Sequence, residues 1–156
     1  MAIKVGDKAP EFQLYASDKQ VVGLSDFKGQ HVLLLFFPMA FSSTCTAELC
    51  QVRDELAMYN QMNCVVLGIS VDSLYTLARF KEELGLTYTL LSDYNKGVSR
   101  AYGALYEVWN YGMRGVGKRA AFLINTQGVV KYAEVLENAS LLPDFASIAG
   151  TLSRLK

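Results

Sequence analysis

Phe36-Phe37-Pro38-Met39-Ala40-Phe41-Ser42-Ser43-Thr44-Cys45-Thr46-Ala47-Glu48-Leu49-Cys50 is the stretch where one structural period gives way to another. Before it, Val32 to Phe37 is an unbroken apolar run, the pattern of a strand buried on both faces. After Pro38, Leu49, Val52, Leu56 and Tyr59 recur at helical spacing and predict a helix from Thr44 to Asn60. Strand, short loop and helix start follow one another, and Cys45 falls in the first helical turn. Free backbone N–H groups and the positive end of the helix dipole lie there, and both stabilise a thiolate. Ser42 supplies a hydroxyl three residues earlier, able to donate to a bound oxygen or to the sulfur.

Outward from this segment the chain reads as alternating strands and helices. Glu11 to Ala16 and Gln20 to Leu24 flank Ser17-Asp18-Lys19 as a hairpin, and Leu24 to Gly29 forms a helical turn closed by Gly29. Cys64 to Ser70 is a second buried strand. Leu74 to Leu84 is a helix with Leu77, Phe80 and Leu84 on one face and Gly85 as its stop. Thr87 to Leu91 is a short strand, and Asn95 to Tyr102 a short helix ending at Gly103. Ala104 to Lys118, rich in glycine and aromatics, has no clear period and reads as a functional loop. Ala120 to Asn125 and Val129 to Val135 form a second hairpin around Thr126-Gln127-Gly128. Leu141 to Leu155 closes the chain as an amphipathic helix, with Ser140 as N-cap and Pro143 in its first turn. A βαβ core with an antiparallel hairpin added is a three-layer α/β/α architecture with an N-terminal β-hairpin extension. Such sheets place ligand sites at the carboxyl ends of strands, where the segment after Phe37 lies.

Residues 1–156 are expected to form one domain, long enough to bury roughly 70% of the unfolded chain's surface. Fifteen Lys and Arg balance fifteen Asp and Glu, which argues against a nucleic-acid or anionic-membrane binder. With 51% hydrophobic and 19% charged residues the chain is no disordered polymer. No apolar run approaches the roughly 20 residues a bilayer demands. Met1 to Asp7 has no signal-peptide core, so a cytoplasmic location is expected. Three cysteines in such a chain are no disulfide framework and point to free thiols, a metal site or redox chemistry.

Magnitudes narrow the choice. Moving a thiol from about 8.5 to about 6 takes about 3.4 kcal/mol. A helix terminus supplies at most about 2 kcal/mol, so a reactive Cys45 needs a cation as well. None lies between Gln30 and Arg53, and Arg119, opening the strand from Ala120, is the candidate. The bland reading of Cys45 is a small core residue. A zinc site from Cys45, Cys50, Cys64 and His31 matches no common spacing, and a Cys–His hydrolase would need His31, which precedes a buried strand. The absence of C-x-x-C disfavours a disulfide reductase. Cys64 reads as an inert core residue, and Glu48 either as a tuner of the site or as an acid complementing the dipole. Tyr106, Val108, Trp109 and Tyr111 read as core packing ahead of a pocket or interface, and Met39 and Phe41 share that ambiguity.

Pro38-x-x-x-Ser42-x-x-Cys45 resembles the peroxiredoxin signature Pro-x-x-x-Thr/Ser-x-x-Cys. The resemblance extends through Gly6 to Phe12, Gly68 to Ser73, Leu91-Ser92-Asp93, and Arg119 ahead of Ala121 to Asn125. Cys45-Thr46-Ala47-Glu48-Leu49-Cys50 is similar to the bacterioferritin-comigratory-protein or PrxQ subgroup, in which the cysteine five positions on is the resolving thiol. The departure is Ser42, where Thr is commoner; the hydroxyl is kept and the rotamer freed. The resemblance implies a thioredoxin fold and thiol peroxidase activity on hydrogen peroxide and organic hydroperoxides, without metal or organic cofactor. It makes Cys45 the peroxidatic nucleophile, shielded by Pro38, with Ser42 binding the peroxide, Arg119 stabilising thiolate and leaving oxygen, and Cys50 resolving. A thioredoxin-like or other dithiol reductant is the implied partner. The alternatives are a one-Cys peroxidase resolved by an external thiol, and a redox-responsive interaction or holdase module. A homodimer through the loops around Phe41 and Trp109 is also expected.

Overall fold

The computed structural model describes residues 2–155; Met1 and Lys156, the two ends of the expected domain, lie outside the described residues. The apolar run after Gln30 becomes β3 (His31–Phe36), buried at every position. It runs parallel to β4 (Cys64–Ser70), in a register from His31 beside Cys64 to Phe36 beside Ile69. Next to β4 is β5 (Thr89–Ser92), again parallel. The hairpin β1 (Gln13–Ala16) and β2 (Val21–Gly23) extends this side, while antiparallel β8 (Arg119–Ile124) and β9 (Val130–Leu136) extend the other. The sheet order is β2-β1-β5-β4-β3-β8-β9.

Strand alternation splits the core in two. Leu33, Leu35 and Phe37 face one layer, built from α1 (Ser43–Asp54), α2 (Leu56–Gln61), α3 (Leu74–Leu84) and α5 (Phe145–Ser153) through Leu49, Val52, Tyr59, Leu77, Phe80 and Ile148. Leu34 and Phe36 face the other, where Val98 of α4 (Gly97–Ala101) and the adjacent Tyr102 join Phe12 and Phe122. This is the expected three-layer arrangement.

Three elements differ from expectation. The helix expected from Thr44 to Asn60 breaks at Glu55 (φ −104°, ψ 6°), whose N–H bonds to the carbonyls of both Gln51 and Val52. The ladder tightens there by one step without losing its apolar phase, so periodicity does not register the break. Ala104 to Lys118 is not loop throughout: β6 (Leu105–Val108) and β7 (Arg114–Gly117) pair as a separate hairpin. Its exposed positions and glycines erase the alternation that marks a strand. The last helix starts at Phe145, not Leu141, and Asp144 caps it by accepting the Ser147 N–H at 3.0 Å. Ser140 is instead tied into a turn by Asn138, and Pro143 precedes the cap. Elsewhere element ends shift by a few residues, as at β5 and α4.

Candidate active site

Helix α1 begins where β3 ends. Ser42 is the N-cap residue in an extended conformation, and Cys45 is the third helical residue, fully buried. The partner cation comes from across the sheet. β8 runs antiparallel to β3, with Phe36 opposite Ala120, so the first residue of β8 lies beside the last of β3. That residue is Arg119, itself 1% exposed, and its Nη2 donates to Cys45 Sγ at 3.2 Å. The missing charge thus arrives from 74 residues away in sequence.

The guanidinium is fixed on its other sides. Nε and Nη2 both donate to the Ala139 carbonyl, at 3.1 and 2.9 Å, and Nη1 donates to Glu48 Oε1 at 2.6 Å. Glu48 lies three residues past Cys45, on the same helical face. Of the two readings of Glu48, the geometry favours the one that couples it to the site. Its second oxygen, Oε2, is buried without a partner. Burial pushes the carboxyl up to about 7, outweighing the opposing pull of Arg119. The folded chain therefore holds this proton to higher pH than the unfolded chain, whose ordinary value is 4.5. Folding takes up a proton in that window, so Glu48's contribution to stability is complete below it and falls as pH rises through it. Replacing Glu48 with Gln removes this dependence. The stability of wild type minus that of Glu48→Gln, from denaturation midpoints, is expected to decrease between pH 4.5 and 7; a flat or rising difference contradicts the assignment.

Ser42 does not point its proton at the sulfur here. Its hydroxyl donates to the Met39 carbonyl at 2.9 Å, closing the loop after the buried Pro38. Cys50, half-buried, shares α1 with Cys45, but five residues turn it about 140° round the axis. Cys64 sits at the start of β4, and burial pushes its thiol up to about 12, which keeps it protonated. His31 lies beside Cys64 at the start of β3. At about 3.3 Å per residue, that end of the strand is roughly 16 Å from the Phe36 end. This separation removes both the zinc set and the Cys–His pair. Trp109 stacks on Tyr106 with ring centroids 6.0 Å apart, and both line a cavity of about 520 Å³ with Ala139. Tyr111 is fully exposed and packs nowhere.

A buried cysteine at a helix start, 3.2 Å from a buried arginine, on this sheet, is the frame in which the comparisons with known proteins fall. The sequence model of the AhpC/TSA family matches residues 5–133. The chain belongs to the AhpC/TSA family. Peroxiredoxin Bcp of Escherichia coli (strain K12) is 38% identical over 131 residues, covering 83% of this chain and 84% of that protein. Peroxiredoxin Bcp of Bacillus subtilis (strain 168) is 34% identical over 133 residues, covering 82% of each. Among solved structures, the peroxidoxin BcpB of Mycobacterium tuberculosis superposes with a TM-score of 0.87 at 28% identity, covering 99% of both chains. A PrxQ mutant from Xylella fastidiosa does so with a TM-score of 0.87 at 25% identity, covering 98% of this chain and 97% of that one. The architecture is the thioredoxin fold of the peroxiredoxins, and the activity is that of a thiol-dependent peroxidase.

Proposed function

We propose that Cys45 is the peroxidatic nucleophile and Cys50 the resolving thiol of this peroxidase. The Cys45 thiolate attacks the near oxygen of the peroxide. An S–O bond forms, the O–O bond breaks, and the far oxygen leaves with a proton as water or alcohol. The sulfur is oxidised by two electrons to the sulfenic acid. Cys50 then displaces hydroxide from that sulfur, giving a disulfide and water, and a dithiol reductant returns both thiols by exchange. The carrying observation is the Arg119–Cys45 contact of 3.2 Å, which sets a fixed cation beside a sulfur otherwise buried in apolar surroundings. Arg119 serves the thiolate first and the departing oxygen next. Pro38 shields the sulfur. Ser42, released from the Met39 carbonyl by a small rotation, holds the peroxide.

Intact mass after one equivalent of peroxide tests this reading. The expected product has lost two hydrogens and keeps a single alkylatable thiol, Cys64. A product that instead gains one oxygen and keeps two alkylatable thiols supports the one-Cys alternative. Failure to consume peroxide at all returns the chain to a redox-responsive interaction module.

The reading covers residues 1–156 as one domain acting in the cytoplasm, with a thioredoxin-like protein as reductant. Among the described residues no helix is long and apolar enough to cross a membrane. Phe41, 50% exposed beside the site, and the Trp109 loop support a homodimer through these apolar loops. Sedimentation of the reduced and oxidised protein is expected to show a dimer at micromolar to millimolar concentration; monomer alone in both states rejects it.

A further inference from the structure

Helix α1 starts without a side-chain cap, unlike α3 and α5. Ser73 caps α3 by accepting the Thr76 N–H at 3.1 Å, and Asp144 caps α5. At α1 the Ser42 hydroxyl is turned away to Met39, so the first turn is held from outside the helix. Asp72, just past β4, accepts the Ala40 N–H on Oδ2 at 2.8 Å. The same oxygen takes the Ser70 hydroxyl at 2.7 Å, and the Ser92 hydroxyl donates to the Asp72 carbonyl at 2.6 Å. The carboxylate is thereby rooted in the ends of β4 and β5. One residue past Ala40, Phe41 adopts a left-handed backbone (φ 72°), and its ring packs edge-on against Phe80 of α3 at 5.0 Å. On the far side of Cys45, the Tyr88 hydroxyl donates to the Leu49 carbonyl at 2.8 Å. These tethers bracket Phe41 to Glu48, the segment that carries Cys45.

We propose that Asp72 is a positioning residue that sets the balance between a closed first turn, in which Cys45 meets peroxide, and an opened turn, in which Cys45 meets Cys50. The Phe41–Phe80 contact is its second, weaker tether. An N–H two residues before the N-cap keeps its aim only while the turn after it is in place, so the Ala40–Asp72 bond favours the closed state. A bond to a charged acceptor is about twice as strong as a neutral one, enough to weight such a balance. Closed molecules stay the majority without it, so loss of Asp72 changes the rate of resolution while leaving the rate of first attack alone. The resolution half of this inference rests on the reading of Cys50 above.

Hydrogen exchange on the reduced protein is the direct test. In Asp72→Ala, amides from Ser43 to Glu48 are expected to exchange about three- to tenfold faster, with β4 and α3 unchanged. Peroxide attack stays within twofold, and the sulfinate formed per turnover under excess peroxide falls about threefold. Asp72→Asn keeps an oxygen for the Ala40 N–H without the charge, and its exchange is expected to fall between wild type and Asp72→Ala. Unchanged exchange in the alanine variant, or equal acceleration across β4 and α3, overturns the proposal. If that variant does not fold, Phe41→Ala removes only the half-exposed ring and must shift exchange the same way; no shift there also overturns it. The exchange readout is repeated in Cys50→Ser, where it is independent of resolution. Faster exchange with an unmoved sulfinate yield upholds the tether and removes Cys50 as resolving thiol.

Discussion

Arg119→Met is expected to slow formation of the Cys45 sulfenate by about a hundred- to a thousand-fold, the usual cost of deleting one fixed donor aimed at developing charge. Two losses add here. The sulfur loses its only side-chain hydrogen-bond donor among the described residues, and the departing oxygen loses the guanidinium. Methionine keeps much of the volume, so packing alone should survive. The sequence suggests a variant that keeps its fold; the structure adds an expected cost in stability. Arg119 and Glu48 are both fully buried and joined at 2.6 Å, so removing the arginine strands a carboxyl in the core. Breaking a buried pair from one side costs about 3–5 kcal/mol, less whatever Glu48 recovers by taking a proton. The double variant Arg119→Met/Glu48→Gln should therefore regain part of the stability and none of the rate. Stopped-flow single turnover and urea unfolding of wild type, single and double variants separate the two effects. A single variant with an unchanged second-order rate sinks the role of Arg119.

The Arg119 case also shows where sequence reading stops. The need for a cation follows from magnitudes at Cys45, and Arg119 follows from its place at a strand start. What else the arginine touches does not. Glu48 lies 71 residues from Arg119 in sequence, and its neighbours there look like any amphipathic helix. Nothing local says that it turns inward. The buried strands are legible because Val32 to Phe37 and Cys64 to Ile69 are almost wholly apolar, and α3 because Leu77, Phe80 and Leu84 recur on one face and Gly85 marks its end. The β6–β7 hairpin is not, because it lies off the main sheet and buries too little to impose alternation. The start of α5 is not legible because Ser140 and Asp144 are both good caps, and only tertiary contacts choose. Asp144 wins where Glu134 of β9 accepts its N–H at 2.9 Å. Asp72 lies in the Gly68 to Ser73 stretch that carries the resemblance, but nothing local marks it as a tether: its partner Ala40 is 32 residues away and contributes only a backbone N–H.

The two helical cysteines should separate cleanly by mutation. Cys45→Ser is expected to abolish peroxide consumption, because the attacking sulfur is gone and a hydroxyl in the same place is no nucleophile at neutral pH. Cys50→Ser should leave the first attack within a factor of a few, since its thiol enters only after the sulfenate exists. In that variant the Cys45 sulfenate persists, advances to sulfinate under excess peroxide, and turnover with a dithiol reductant collapses. Geometry adds a requirement. Five residues along an ideal helix place Cα atoms about 8.6 Å apart. A disulfide tolerates about 6.8 Å at most. The turn must therefore open for the bond to close. Both cysteines lie inside α1, with Cys45 sealed in the core and Cys50 half-buried on another face, so opening also draws the reactive sulfur away from Arg119. Oxidised wild type should accordingly exchange its amides from Ser43 to Val52 much faster than reduced wild type. Equal protection in the two states, or a bridge that maps to Cys45–Cys64 or between chains, would remove Cys50 from the mechanism. Cys64 is poorly placed to substitute, since it lies at the opposite end of the parallel strands from the start of α1 and its thiol stays protonated up to about pH 12.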